Sequence, residues 1–190
     1  KMKKILSIII LGLIITSKCM AYEEANYEVV KKNEIYEIRK YSDRLAIETD
    51  MSNQGSSFRK LFNYISGNNK DNEEIKMTTP VTQMEKKGNM TMQFYLPSRF
   101  NKENIPSPSN PDVKILNIKG GYYAAIIYSG RTSDKNFIKH KSILENELKK
   151  DDMSILSPPI KATYNGPFTL PMNRRNEVMF EINIKDKGEI

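Results

Sequence analysis

The chain has no tryptophan, one cysteine and one histidine among its 190 residues. Each shortage removes a class of chemistry. A zinc site built on several histidine or cysteine ligands is excluded by inventory. The covalent C-x-x-C-H attachment of heme is absent too. The cysteine, Cys19, lies in KMKKILSIIILGLIITSKCMA, which has a basic head (Lys1, Lys3, Lys4), an apolar run from Ile5 to Ile15 and small residues before Tyr22. Those are the three regions of a secretory signal peptide, with cleavage expected after Ala21. The run is short for a membrane span, which needs roughly 20 residues, and Lys18 is the wrong neighbour for a lipoprotein signal at Cys19. The expectation is an exported chain, periplasmic or secreted, with residues 1–21 removed and no stable membrane span afterwards. Residues 22–190 then hold no disulfide and no thiolate nucleophile.

Excess positive charge is also scarcer than the total of +7 suggests. Removing Lys1, Lys3, Lys4 and Lys18 leaves 30 − 4 = 26 basic against 23 acidic residues, or +3. So small an excess gives no electrostatic case for a nucleic-acid partner. The blocks NKENIP and DNEEIK read as solvated loops. A cysteine hydrolase is excluded after cleavage. A Ser–His device would have to use His140 without a G-x-S-x-G elbow, and no stretch points to paired catalytic carboxylates. The expectation is a protein that is not an enzyme. The sequence says nothing of its oligomeric state.

What is present looks duplicated. EIYEIRKY, RLAIETDM, SSFRKLFNYISG, EIKMTTPV and NMTMQFYLP are matched by VKILNIKG, GYYAAIIYSG, DKNFIKHKSILENELKK, PIKATYNG and NEVMFEINI. Each block reads strand, strand, helix, strand, strand, at an offset of about 80–85 residues, the signature of an internal repeat. The halves span about 27–97 and 112–185, joined by a proline-rich linker over about 98–111. Met92, Phe94 and Leu96 alternate with Thr91, Gln93 and Tyr95, and Val178, Phe180, Ile182 and Ile184 repeat the pattern. YYAAIIY does not alternate and reads as a central strand. Gly120-Gly121 reads as a hairpin turn needing positive φ. Phe58, Leu61, Phe62 and Ile65 share a helix face, as do Phe137, His140, Leu144 and Leu148, the second helix being capped by Ser133 or Asp134. The expected fold is α+β: a distorted antiparallel β-barrel of about eight strands with two helices, built from two pseudo-repeated ββαββ-like halves. In KMTTPV, Pro80 cannot donate a ladder hydrogen bond, so it marks an edge or a bulge.

YEIRKY (36–41), FRKLFNYISGNN (58–69), IKMTTPV (75–81) and ATYNGPF…RRNEVMFEI (162–182), in this order and spacing, resemble the SOUL heme-binding proteins. The resemblance covers essentially all of residues 22–190. It implies a distorted barrel with two helices that binds heme or a related tetrapyrrole, without covalent attachment, in an apolar groove beside the first helix. The family is not generally enzymatic, and some plant and algal relatives are linked to pigment handling. One vertebrate branch has a proposed histidine ligand in the YEIR-x-Y strand, where this chain has Lys40. Another places basic residues near the first helix, where this chain has Gly55 and Asn63, with Arg59 and Lys60 close by.

The candidate cofactor-binding residues are therefore Phe58, Arg59, Leu61, Phe62, Ile65, Met77, His140, Arg174 and Arg175. Each has a second reading. The stripe Phe58, Leu61, Phe62, Ile65 has the spacing of an ordinary core face. Met77 offers a polarizable surface to a porphyrin or simply packs. His140 has the chemistry of an iron ligand or of a hydrogen-bonded core histidine. Arg174 and Arg175 can pair with propionates or with acids and backbone carbonyls. The rival function is a SOUL-fold protein-interaction or small-molecule module that no longer binds heme, which predicts an exposed apolar patch.

Overall fold

The computed structural model describes residues 22–51 and 54–184. The expected signal peptide, with Cys19, lies outside the described residues. The chain begins with β1 (Glu23–Glu24), β2 (Tyr27–Lys32), β3 (Glu37–Tyr41), β4 (Arg44–Asp50) and helix α1 (Gln54–Ile65). It continues through β5 (Thr78–Thr79), β6 (Val81–Lys86), β7 (Asn89–Tyr95), β8 (Lys114–Ile118) and β9 (Gly121–Tyr128). Helix α2 (Asp134–Lys150) follows, then β10 (Ser154–Ile155), β11 (Ile160–Thr163) and β12 (Asn176–Asn183). The main sheet runs β2-β3-β9-β12-β11-β6-β7-β4-β8, with β10 added on β12, and all its neighbours are antiparallel. The result is an α+β fold: a highly curled half-barrel with two helices. Exchange β3 with β8, β4 with β9, β6 with β11 and β7 with β12, and the order from β3 to β8 reads the same from its other end.

Curling depends on a bent ribbon. Tyr41 pairs with Gly121 in the β3–β9 ladder, and Arg44 pairs with Ile118 in the β4–β8 ladder, three residues on along one chain and three back along the other. The two ladders therefore keep one register across a kink at residues 42–43 and 119–120. Gly120-Gly121 is thus not a hairpin between partners, because β8 pairs with β4 while β9 pairs with β3 and β12. The glycine is needed for close approach instead. A Cβ on Gly120 would lie 2.6 Å from the Tyr41 carbonyl oxygen and 3.0 Å from the Ser42 carbonyl carbon. Alternation in sequence cannot reveal a crossing of two connections. A true two-residue hairpin joins β6 to β7 at Lys87 and Gly88, with φ of 51° and 82°. That positive pair is the type I′ geometry whose twist suits paired strands.

Pro80 sits in the gap where β5 leaves its parallel pairing with β1 and β6 begins pairing with β7 and β11. It is buried, and the Thr79–Pro80 peptide is cis. The KMTTPV proline stands between two strands rather than inside one, and Thr78 donates its hydroxyl to the Tyr95 carbonyl at 2.7 Å.

Alternation divides the sheet into two unlike faces. Ile47, Met92 and Phe94 pack outward against Leu61 and Ile65 of α1. Ile38, Ala124, Ile126, Val178, Phe180 and Ile182 do the same against Leu144 and Leu148 of α2. The other face carries Tyr41, Tyr123, Ala125, Ala162, Tyr164 and Met179. Charge accompanies them there. The fully buried Arg39 forms a two-pronged pair with the fully buried Glu177, at 2.7 and 3.1 Å. Arg39 Nε donates to Glu37 at 3.0 Å, and Arg175 Nε donates to Glu177 at 2.9 Å. A planar guanidinium matches two carboxylate oxygens at once, which is what makes such burial tolerable. The proline-rich linker is also docked: Tyr64 of α1 donates its hydroxyl to the Pro106 carbonyl at 2.7 Å, and Phe100 is buried in the α1 core.

Candidate functional site

The first-helix stripe splits in two. Leu61 and Ile65 are sealed in the core, whereas Phe58 and Phe62 are 43% and 47% exposed. Their rings lie nearly parallel, with centroids 6.0 Å apart. Phe58 also meets Phe94 of β7 edge-on at 5.1 Å, so the pair is held from beneath. One turn of helix separates the two positions, which puts both rings on one face. Met77 is half-buried against the same cluster. Arg59 is exposed on the same helix, while Lys60 is engaged by Asp112 at 2.7 Å. The arrangement is an apolar, partly uncovered ledge with a firm back.

The remaining candidates lie elsewhere. His140 belongs to α2, which packs on β9, β10 and β12, whereas α1 packs on β4 and β7. Its ring lies flat on Tyr128 with centroids 4.0 Å apart, and Nδ1 is 2.8 Å from the Asn136 carbonyl oxygen. Only a protonated Nδ1 can donate to that carbonyl. Arg174 donates to the carbonyls of Thr169 and Pro167 at 2.8 and 2.6 Å. Arg175 covers the Tyr164 ring at 3.7 Å and pairs with Glu177 and with Glu24, the latter at 3.0 Å. Both arginines are thus placed by the fold's own acceptors. Lys40 is exposed on β3, its ammonium 5.7 Å from the Tyr122 ring centroid. Among the described residues, no three His, Cys, Asp or Glu side chains gather as a metal site, and no helix is long and apolar enough to cross a membrane.

A cleft of about 540 Å³ opens where the bent ribbon kinks, and none of its lining comes from α1. Its walls include Leu45, Tyr95, Leu96, Pro97 and Phe100, with Arg44 also lining a small inner recess beside Tyr41, Tyr164 and Met179. The Arg44 guanidinium carbon is 4.0 Å from the Tyr41 centroid, 5.0 Å from that of Tyr95 and 5.3 Å from that of Tyr123. Its buried Nε has no hydrogen-bond partner. Asp43, at the mouth, is held below the usual aspartate value by hydrogen bonds from the Lys119 ammonium and the Gly120 amide. Within the barrel, burial pushes the Tyr41 hydroxyl up to about 12, against the pull of Arg39. Neither Arg44 nor the Arg39–Glu177 centre was apparent in the sequence. RLAIETD carries no mark that its first residue would be ringed by tyrosines from three other strands.

These features define a curled α+β half-barrel with two helices, one of which presents an aromatic ledge. The chain belongs to the SOUL heme-binding protein family, whose profile matches residues 22–181. It is 29% identical over 160 residues to heme-binding protein 2 of Homo sapiens, covering 75% of this chain and 76% of that one. It is 28% identical over 163 residues to heme-binding protein 2 of Mus musculus, covering 75% and 76%. Among solved structures, the EcmrR C-terminal domain is similar with a TM-score of 0.59 at 12% identity, over 83% of this chain and 98% of that one. A hydrolase from Listeria innocua is similar with a TM-score of 0.57 at 8% identity, over 81% and 94%. At such identities these two likenesses concern the fold alone.

Proposed function

We propose that the protein is an exported, non-enzymatic binder of heme or a related tetrapyrrole, held without covalent attachment on the α1 ledge. The supporting observation is the parallel phenyl pair Phe58 and Phe62, left half-open in a chain of a heme-binding family. A flat macrocycle laid on that ledge would remove apolar surface from water, at roughly 25 cal/mol per Å² covered. Met77 would extend the apolar wall, Arg59 would meet a propionate, and Leu61 and Ile65 would support the ledge from the core. Two adjacent readings accompany this one: residues 1–21 direct export, and the two sequence blocks form a repeat, which the two-ended symmetry of the strand order supports.

The test is a hemin titration of the protein followed at the Soret band. A saturable shift is expected, weakened about tenfold or more by Phe62→Ala and unchanged by His140→Ala, because the His140 ring already rests on Tyr128 and Asn136. Absence of a saturable shift would sink the reading. Loss of the shift in His140→Ala alone would instead make α2 the site.

A specific observation favours the rival, a protein-interaction module. The loop before the last strand exposes Phe168 at 99%, Leu170 at 61% and Met172 at 74%. If hemin fails to bind, that loop becomes the surface on which to seek a partner.

A further inference from the structure

The cleft at the ribbon's kink presents a charge that the fold does not neutralise. Three acids and three bases line it: Glu23, Glu24 and Asp43, with Arg44, Lys102 and Lys119. Two of the acids are paired with cations, and the third is met by a backbone amide. Glu23 accepts the Ser98 amide at 2.7 Å, Glu24 pairs with Arg175 at 3.0 Å, and Asp43 pairs with Lys119 at 2.8 Å. Among the described residues, neither Arg44 nor Lys102 forms an ion pair with a carboxylate. The contrast with the neighbouring Arg39 is direct, since Arg39 is matched by Glu177 on both prongs.

Arg44 is nevertheless well fixed. Tyrosine rings from β3, β7 and β9 surround its guanidinium, and ring faces hold a cation in place without cancelling its charge. Its Nε–H is buried and donates to nothing, although leaving a buried donor of a charged group unpaired is costly. A pre-placed guanidinium with an unpaired Nε–H and no carboxylate partner, at the floor of an apolar-walled cleft, suits a planar anion.

We infer that this cleft binds a small organic carboxylate, whose carboxylate group meets Arg44 and whose apolar body lies on Leu45, Leu96 and Phe100. The site is separate from the α1 ledge and does not rest on the tetrapyrrole reading. Phosphate monoesters fit less well, since a dianion with a polar body would leave those apolar walls uncovered.

The probe is 2-naphthoate, with neutral 2-naphthamide as its isostere, each titrated into the protein and followed by calorimetry. Saturable naphthoate binding is expected, at least tenfold tighter than that of the amide. Arg44→Gln should abolish the preference for the acid, and Phe62→Ala should leave it intact. Because Arg44→Gln removes a cation from a tyrosine cage and can unfold the corner, a second readout uses the unaltered protein. The Arg44 Nε–H resonance in a ¹H–¹⁵N spectrum should move progressively with naphthoate and stay still with the amide. No saturable naphthoate binding, equal binding of acid and amide, or a stationary Arg44 resonance at saturation would each overturn the inference. So would binding that Phe62→Ala weakens and Arg44→Gln spares, because the probe would then lie on α1.

Discussion

On α2, Leu144 and Leu148 have no exposed surface and His140 lies flat on Tyr128; on α1, Leu61 is equally sealed but the rings of Phe58 and Phe62 stand partly in water. The two helices occupy corresponding places in the strand order, α1 against β4 and β7, α2 against β9 and β12. Their shared apolar spacing therefore does not mean shared burial. Where α2 lays a polar-tipped ring over a tyrosine and leaves a lone aliphatic side chain, Ile138, in water, α1 leaves two parallel phenyl rings half uncovered. Large apolar groups left open on a firm backing gain most when something covers them, which is why the proposed ligand is laid on α1.

The largest expected effect tests the part that the helices share. Leu61→Ala and Leu144→Ala each delete a fully buried side chain, so each should lower unfolding stability by about 2–5 kcal/mol in urea melts. A small loss for one of them would break the equivalence of the two layers. Phe62→Ala sharpens the contrast, because its ring is half in water. It should cost about 1 kcal/mol or less by the same melts, well below a buried phenylalanine, while weakening hemin as stated above. A loss as large as that of Leu61→Ala would make Phe62 a core residue and the ledge a misreading.

The smallest effect concerns the charged face behind both helices. Burial alone would raise the Glu37 carboxyl, but hydrogen bonds from Lys32 and Arg39 outweigh it and hold the group below the ordinary 4.5. A carboxyl depressed in the folded state contributes stability that is present above its unfolded value and lost as pH falls through the folded one. The melting temperature should therefore decline as pH drops below about 4.5, and less steeply in Glu37→Gln. Identical slopes in both proteins would remove Glu37 from the account.

Much of this architecture was legible because alternation survives in single strands. Val178, Phe180 and Ile182 announced one face of β12, and of the two candidate caps of α2, Ser133 and Asp134, it is Ser133 that accepts the Asn136 amide. Pairing between distant strands was not legible. Gly120 looked like a turn residue because its neighbours are apolar, yet its size is dictated by Tyr41, far away in the chain. The ledge was half legible: spacing placed Phe58, Leu61, Phe62 and Ile65 together, but which two would be covered depends on where β7 lies. Arg174 and Arg175 carried the same charge in the sequence and differ only in the acceptors that the fold brings to them. Strand β2, with Val29 and Val30 exposed on the sheet's edge, passed unnoticed for lack of alternation.

The bent ribbon has a kinetic consequence. Because β3 has only the edge strand β2 from its own block and completes its pairing on β9, while β8 pairs with β4 alone, each sequence block borrows a strand partner from the other. Neither block can be excised at the proline-rich segment and keep its sheet. Chain segments on either side of that segment must meet before any layer is finished, so the entropy of closing long loops opposes folding before the contacts that reward it exist. Folding should accordingly be slow for a chain of this length and cooperative along all of it, with the half-made ribbon as the stage most exposed to aggregation.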